Sequence, residues 1–169
     1  LRIARMIPGS AEELVQQCCR DRVSGILLAG EPGSGKTTLL RDLILQLCSG
    51  REGRFVKAVA VDEKNEISSC LEGNGGRSRA VTCELLCGYQ KAQGMITAIR
   101  NLSPQLVLCD EISAESDLAA VKSCADSGVK ICSTIHAASV QEVLRRPKAA
   151  ALLQSGAFDY LVLLQGSHA

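Results

Sequence analysis

Short apolar runs of strand length alternate along this chain with longer stretches whose apolar residues recur every three to four positions. That alternation predicts an α/β structure, a mainly parallel sheet flanked by helices. Gly25–Ala29 reads as a buried strand running into a glycine-rich loop, and Lys36–Cys48 as a helix with Leu39, Leu40, Leu43, Ile44 and Leu47 on one stripe, ended near Gly50. Phe55–Val61 predicts a second strand, terminating in Asp62-Glu63. Leu106–Cys109 predicts a strand ending at Asp110-Glu111, Val129–Ile135 one ending at His136, and Tyr160–Leu164 a last one. Ala92–Leu102 and Ser116–Ser127 have helical periodicity, stopped before Pro104 and at Gly128. Ser10–Glu13 and Ser139–Glu142 have the Ser-x-x-Glu spacing of capping boxes. The first opens a helix through about Cys19, the second a helix to about Arg146, with another short helix after Pro147. Glu66–Gly88 has four glycines, Gly73, Gly75, Gly76 and Gly88, and weak periodicity; it reads as a long loop with a helical turn or two, a kind of segment that often carries function.

At 169 residues the chain has the size of one domain with a real core, and 46% hydrophobic against 22% charged residues describes a folded chain. A net charge of +1 gives no basic field, and 2% aromatics without Trp give no base-stacking platform, so no direct nucleic-acid partner is expected. No apolar run approaches the roughly 20 residues of a spanning helix, and Leu1–Arg5 lacks the apolar stretch of a signal peptide. A cytoplasmic place is therefore expected. The absence of an initiating Met predicts a piece of a longer protein. The nine cysteines contain no C-x-x-C, and His136 and His168 make no zinc-type cluster. Cys109 and Cys132 lie inside strand runs as small hydrophobes, while Cys83 and Cys87 could share a helix face at i, i+4 without further ligands. The cysteines read as structural filler in a reducing compartment.

The strongest chemical signal is GEPGSGKTT, formed by Gly30, Glu31, Pro32, Gly33, Ser34, Gly35, Lys36, Thr37 and Thr38. It has the G-x-x-x-x-G-K-[ST] spacing and lies after a strand and before a helix, as a phosphate-binding P-loop requires. Its backbone N–H groups are placed to wrap phosphates. Lys36 would reach the β- and γ-phosphates of ATP and the Thr37 hydroxyl would ligate Mg²⁺. Leu106–Glu111 supplies the partner element: Asp110 for the Mg²⁺ shell and Glu111 to polarise a water for in-line attack on the γ-phosphate. Asp62, Asp110 and Thr134 should open on the same sheet edge as the loop, where ligands of parallel sheets bind. His136 is there a candidate γ-phosphate sensor, and Asp62-Glu63, above all Glu63, a candidate for acid–base or water-positioning work. Arg100, and more weakly Arg77, Arg79, Arg145 and Arg146, are candidates to stabilise transition-state charge in their own or a neighbour's site.

Four ordered segments, GEPGSGKTTLLRDL, AVAVDEKNEIS, KAQGMITAIRNLSPQLVLCDEIS and SGVKICSTIHAASVQEVLRRP, together resemble the stage III sporulation protein AA family and, more broadly, the secretion ATPases of type II and type IV systems. The resemblance runs from about Arg5 to Leu164 and corresponds to that family's C-terminal motor domain. In it, Asp62-Glu63 matches the Asp box and the strand ending at His136 matches the His box. It implies a RecA-like fold, a hexameric ring and Mg²⁺-dependent ATP hydrolysis coupled to membrane-embedded channel or secretion subunits. For the sporulation family it implies the channel between mother cell and forespore, with the ATPase on the mother-cell cytoplasmic side. Two departures stand out. The family's arginine-bearing stretch near R-T-D-V-L-D is here RAVTCELLCGYQKAQG, which leaves only Arg77 or Arg79, out of place. The N-terminal domain that closes over the nucleotide in secretion ATPases precedes the matched region.

The P-loop alone admits other functions. A small-molecule kinase would need an Arg-rich lid, for which Arg145-Arg146 is a weak substitute, and a nucleotide-gated assembly subunit would bind ATP with little turnover. No L-S-G-G-Q-like signature precedes Leu106, against an ABC transporter ATPase, and no N-K-x-D sequence supports a GTPase.

Overall fold

The computed structural model describes residues 9–49, 55–68 and 83–165. Arg77, Arg79, Gly50, Gly73, Gly75, Gly76 and His168 lie outside the described residues. The elements are α1 (Glu12–Cys18), β1 (Ile26–Gly30), α2 (Lys36–Cys48), β2 (Ala58–Asp62), β3 (Cys83–Cys87), α3 (Lys91–Asn101), β4 (Leu106–Glu111), α4 (Glu115–Asp126), β5 (Lys130–His136), α5 (Val140–Arg145), α6 (Pro147–Gln154) and β6 (Tyr160–Leu164).

The six strands form one sheet in the order β3-β2-β4-β5-β1-β6, with every neighbouring pair parallel. Strands covered on both faces read as unbroken apolar runs, and this is why β1, β2 and β5 were legible as such. Successive side chains point to opposite faces, so the strands divide between two cores. Leu27, Ala29, Val59, Val61, Val107, Cys109 and Ile131 pack with Met95 and Ala98 of α3, Val121 and Cys124 of α4 and Leu152 of α6. Ile26, Leu28, Ala58, Ala60, Leu106, Leu108 and Cys132 pack against Leu40, Leu43 and Ile44 of α2 and Cys18 of α1. Cys109, Cys124 and Cys132 are filler, as expected; burial pushes the Cys109 thiol up to about 12 and the Cys124 thiol up to about 11.

Three local expectations are corrected. The end of the predicted loop is an edge strand, β3, whose residues are half-buried or exposed, so Cys83 and Cys87 sit on a strand rather than a helix. A five-residue strand that pairs, among the described residues, with β2 alone carries little apolar pattern to recognise. Ser10 does not cap α1: the N-cap is Ala11, and the Gly9 and Ala11 N–H groups donate instead to the Asp42 carboxylate of α2 at 3.1 and 2.8 Å. At α5 the Ser139 Oγ does accept from the Glu142 N–H at 3.1 Å, but the Glu142 carboxylate accepts from the Ala138 N–H at 2.6 Å rather than closing the box on Ser139.

The register of β4 on β5 breaks where the chemistry lies. Leu108 pairs with Cys132 and Glu111 with Thr134, so Cys109 and Asp110 together face the single residue Ser133. Such a bulge twists the strand and re-aims the residues beyond it. The carboxyl ends of β1, β2, β4 and β5 then meet at one edge of the sheet.

Candidate functional site

β1 ends at Gly30 and α2 begins at Lys36, so the loop between them aims the helix N-terminus at the sheet edge. Gly33 and Gly35 have φ of +81° and +92°, and a Cβ on either would meet nothing within 4 Å. Their exposed face is therefore open space bordered by backbone, which is what an approaching phosphate needs. Ser34 Oγ is buried with no hydrogen-bond partner. A cleft of about 680 Å³ lies over the loop, lined by Pro32, Gly33, Gly35, Lys36, Thr37, Thr38, Arg41, Lys64, Asn65, Glu66, Asp110, Glu111, Thr134 and His136. That volume is in the range of nucleotide-sized ligand sites. A larger groove, about 820 Å³, lies against α1, Phe55 and Val56 and includes none of the predicted site residues.

Lys36 is buried and bent back over its own loop, its Nζ donating to the Gly30 and Glu31 carbonyls at 2.8 and 2.7 Å. Burial lowers its pKa below that of an ordinary lysine, and the Glu111 carboxylate opposes the shift. The same Nζ stands 3.3 Å from His136 Nδ1, and His136 Nε2 stands 3.2 Å from Glu111 Oε2. An ammonium only donates, so Nδ1 accepts and the ring proton on Nε2 is directed at Glu111. Lys36, His136 and Glu111 thus form one polar chain across the cleft. The Arg146 guanidinium donates to the His136 carbonyl and pairs with Glu142, which holds the end of β5 from behind.

Asp110 is buried and ion-paired with Lys91 of α3, 2.6 Å away. Lys91 Nζ also donates to the Glu111 carbonyl. Desolvation depresses the Lys91 pKa, but the hydrogen bond and charge of Asp110 outweigh it and leave the net value raised. On the other wall, the fully buried Asp62 carboxylate accepts the N–H groups of Glu66, Ile67 and Ser68 at 2.9, 3.0 and 2.7 Å. Arg41 donates Nε to the Glu66 carbonyl at 2.8 Å. Asp62 is therefore a turn-former that sets where Glu66 sits. Asn65, at φ 54°, carries backbone strain of the kind found at binding sites.

The structure brings Gly33, Gly35, Lys36, Thr37, Thr38, Asp110, Glu111 and His136 to one cleft. It does not bring Glu63, which is exposed at the start of the turn and absent from the lining; Glu66 is the carboxylate there. Arg100 is exposed on α3, bordering a groove between α3 and α4 rather than the cleft. Lys91, Arg41 and Glu66 were missed. The signal for Lys91 and Arg41 was a charge placed among the apolar positions of a helix, and for Glu66 the second carboxylate of the stretch DEKNE. The donor set suits a magnesium nucleotide: open glycine backbone, a lysine, a hydroxyl at the helix start and a carboxylate beneath.

The family model described as Sporulation stage III, protein AA matches residues 1–169. Stage III sporulation protein AA of Bacillus subtilis (strain 168) is 34% identical over 165 residues, covering 96% of this chain and 54% of the relative, so the chain spans about half of that relative's length. Among solved structures, the Legionella pneumophila ATPase DotB superposes with a TM-score of 0.64 at 20% identity, over 92% of this chain and 42% of DotB. The VirB11 ATPase of the Brucella suis type IV secretion system, solved with sulphate, superposes at 0.59 with 18% identity, over 86% of this chain and 44% of VirB11. At these identities the likeness is one of fold: a RecA-like P-loop domain with the sheet described above.

Proposed function

Since the chain belongs to the Sporulation stage III, protein AA family, we propose that it is a Mg²⁺-dependent ATPase domain, the motor or assembly part of a secretion-type apparatus. The observation that carries this reading is the polar chain of Lys36, His136 and Glu111 spanning a P-loop cleft. In the reaction, the N–H groups from Gly33 to Thr38 bind the phosphates and the Lys36 ammonium exchanges the Gly30 and Glu31 carbonyls for β- and γ-phosphate oxygens. The Thr37 hydroxyl and the Asp110 carboxylate are the residues that would hold Mg²⁺. Bound there, the metal supplies charge stabilisation to the phosphoryl oxygens. Glu111 orients and polarises the attacking water.

Release of Lys36 frees His136 Nδ1, while Nε2 keeps Glu111 in place, so His136 reports phosphate occupancy to the base. Glu66 takes the water-positioning role expected of Glu63, because Asp62 and Arg41 fix the turn that presents it. Arg100 acts only in a neighbouring copy's site, being remote from its own. The name of the relative, stage III sporulation protein AA, supports the reading that the apparatus serves sporulation. On that reading the whole protein forms a hexameric ring that works against membrane-embedded channel subunits from the mother-cell cytoplasm. Among the described residues no helix is long and apolar enough to cross a membrane.

The test is calorimetric titration with ATP and Mg²⁺ together with release of inorganic phosphate. Binding accompanied by release supports the ATPase; tight binding without release replaces it with a nucleotide-gated assembly subunit.

A further inference from the structure

Two buried groups outside the P-loop hold the strand end that carries both hydrolytic carboxylates. Lys91 opens α3 and reaches the sheet edge with its ammonium 2.6 Å from Asp110 Oδ1, both side chains less than a tenth exposed. The same ammonium donates to the backbone carbonyl of Glu111. Ser133, fully buried on β5, donates its Oγ to the Asp110 carbonyl at 2.6 Å and accepts from the Cys109 thiol at 3.4 Å. These contacts fall on and just beyond the bulge, where Cys109 and Asp110 face the one residue Ser133 and the ladder is interrupted until Glu111 pairs with Thr134.

We propose that Lys91, seconded by Ser133, is a positioning residue that clamps the bulged Asp110-Glu111 segment and so sets how well the site takes up its magnesium. The proposal rests on the nucleotide reading above. One carboxylate oxygen of Asp110 is tied to Lys91, which fixes the rotamer and leaves the other oxygen for the metal. The Glu111 carbonyl, tied by the same nitrogen, fixes the backbone from which the base projects. Partners that orient a ligand rather than bind the metal act in this way. The clamp also joins the site to α3, so movement of that helix alters both carboxylates together.

Lys91→Met, Lys91→Arg and Ser133→Ala test this, with a fluorescent ATP analogue as probe and magnesium chloride titrated in after EDTA. Without metal, Lys91→Met binds the analogue as the unsubstituted chain does, because the Lys91 ammonium is engaged with Asp110 and the Glu111 carbonyl rather than with the P-loop. The magnesium concentration needed for half-maximal tightening rises about 10- to 100-fold. Lys91→Arg recovers part of the loss, and Ser133→Ala shifts it in the same direction by less. A folded Lys91→Met chain whose magnesium titration superimposes on that of the unsubstituted chain overturns the proposal and leaves the nucleotide reading standing. The shift without phosphate release upholds the clamp and removes hydrolysis. A parent chain that binds no nucleotide removes both. Should Lys91→Met melt below assay temperature, Ser133→Ala decides: an unchanged titration there overturns the clamp.

Discussion

The Lys36 ammonium already holds three partners, the Gly30 and Glu31 carbonyls and His136 Nδ1, so an incoming phosphate competes with protein acceptors rather than with water. Replacement of the loop carbonyls by charged phosphate oxygens strengthens each hydrogen bond, since ionised acceptors hold an ammonium more tightly than neutral ones. Lys36→Ala removes that exchange, and we expect nucleotide binding to vanish from an equilibrium titration while the melting temperature stays within a few degrees. At this scale the sequence was informative about chemistry and poor about partners. Lys36, Thr37, Asp110, Glu111 and His136 were legible because the P-loop spacing and the polar residues at strand ends are patterns in the sequence itself, and the structure brings all five to one cleft. The Lys91–Asp110 pair was not, because nothing in a helix such as Lys91–Asn101 says which distant strand its first residue will reach. Glu63 and Glu66 show a similar limit. Both are carboxylates after a strand, and the turn folded onto Asp62 brings Glu66 to the cleft lining and leaves Glu63 exposed.

Helices and strands come close enough in this fold to make some glycines obligatory. α3 rests on β2 through Gly94, where a Cβ would lie 2.4 Å from Val61 Cγ1. In an open helix, Gly→Ala gains about 1 kcal/mol from propensity. Here overlap with a fully buried Val61 reverses the sign, and Gly94→Ala should destabilise the fold by about 1–3 kcal/mol, the usual cost of overpacking. A lower urea midpoint with unchanged slope is the expected result; a raised midpoint would mean that α3 is free to lift. The buried strands and the amphipathic helices were readable because period 2 and period 3.6 survive in the sequence wherever two faces must be distinguished. β3 was not readable because an edge strand needs neither face fully apolar. The start of α1 was missed for a different reason. The N–H of its N-cap, Ala11, is held by Asp42, thirty-one residues away, and a local Ser-x-x-Glu pattern does not report a distant partner.

At the scale of the molecule, one carboxylate ties the far edge of the sheet together. Asp159, just before β6, accepts the Gly25 N–H at 2.8 Å, pairs with Lys130 at 3.0 Å and has Arg22 at 3.6 Å, joining the entrances of β1, β5 and β6. Burial alone would raise its pKa, but the Gly25 hydrogen bond, Lys130 and Arg22 outweigh it and hold it below the usual carboxylate value. A depressed carboxylate contributes stability that is complete above the unfolded-state pKa of about 4 and is lost as pH falls through the lower folded-state value. Asp159→Asn should therefore lower the melting temperature at neutral pH and flatten its fall on the acid side; parallel melting curves against pH would contradict this. Among the described residues, β6 lies at the sheet edge and pairs with β1 alone. The opposite end of the same strands carries the P-loop cleft, so the Asp159 substitution should leave the proposed nucleotide affinity unchanged. On the proposed function this cleft hydrolyses ATP with Glu111 as base, in sites completed by neighbouring copies. The decisive experiment measures Mg²⁺-dependent phosphate release against protein concentration, with Glu111→Gln run alongside. Release per chain should rise with concentration, and fall by about 10²- to 10⁴-fold in the variant with nucleotide binding retained. Undiminished release by Glu111→Gln would contradict the assignment of the base, and no release by the unsubstituted chain at any concentration would contradict the ATPase itself.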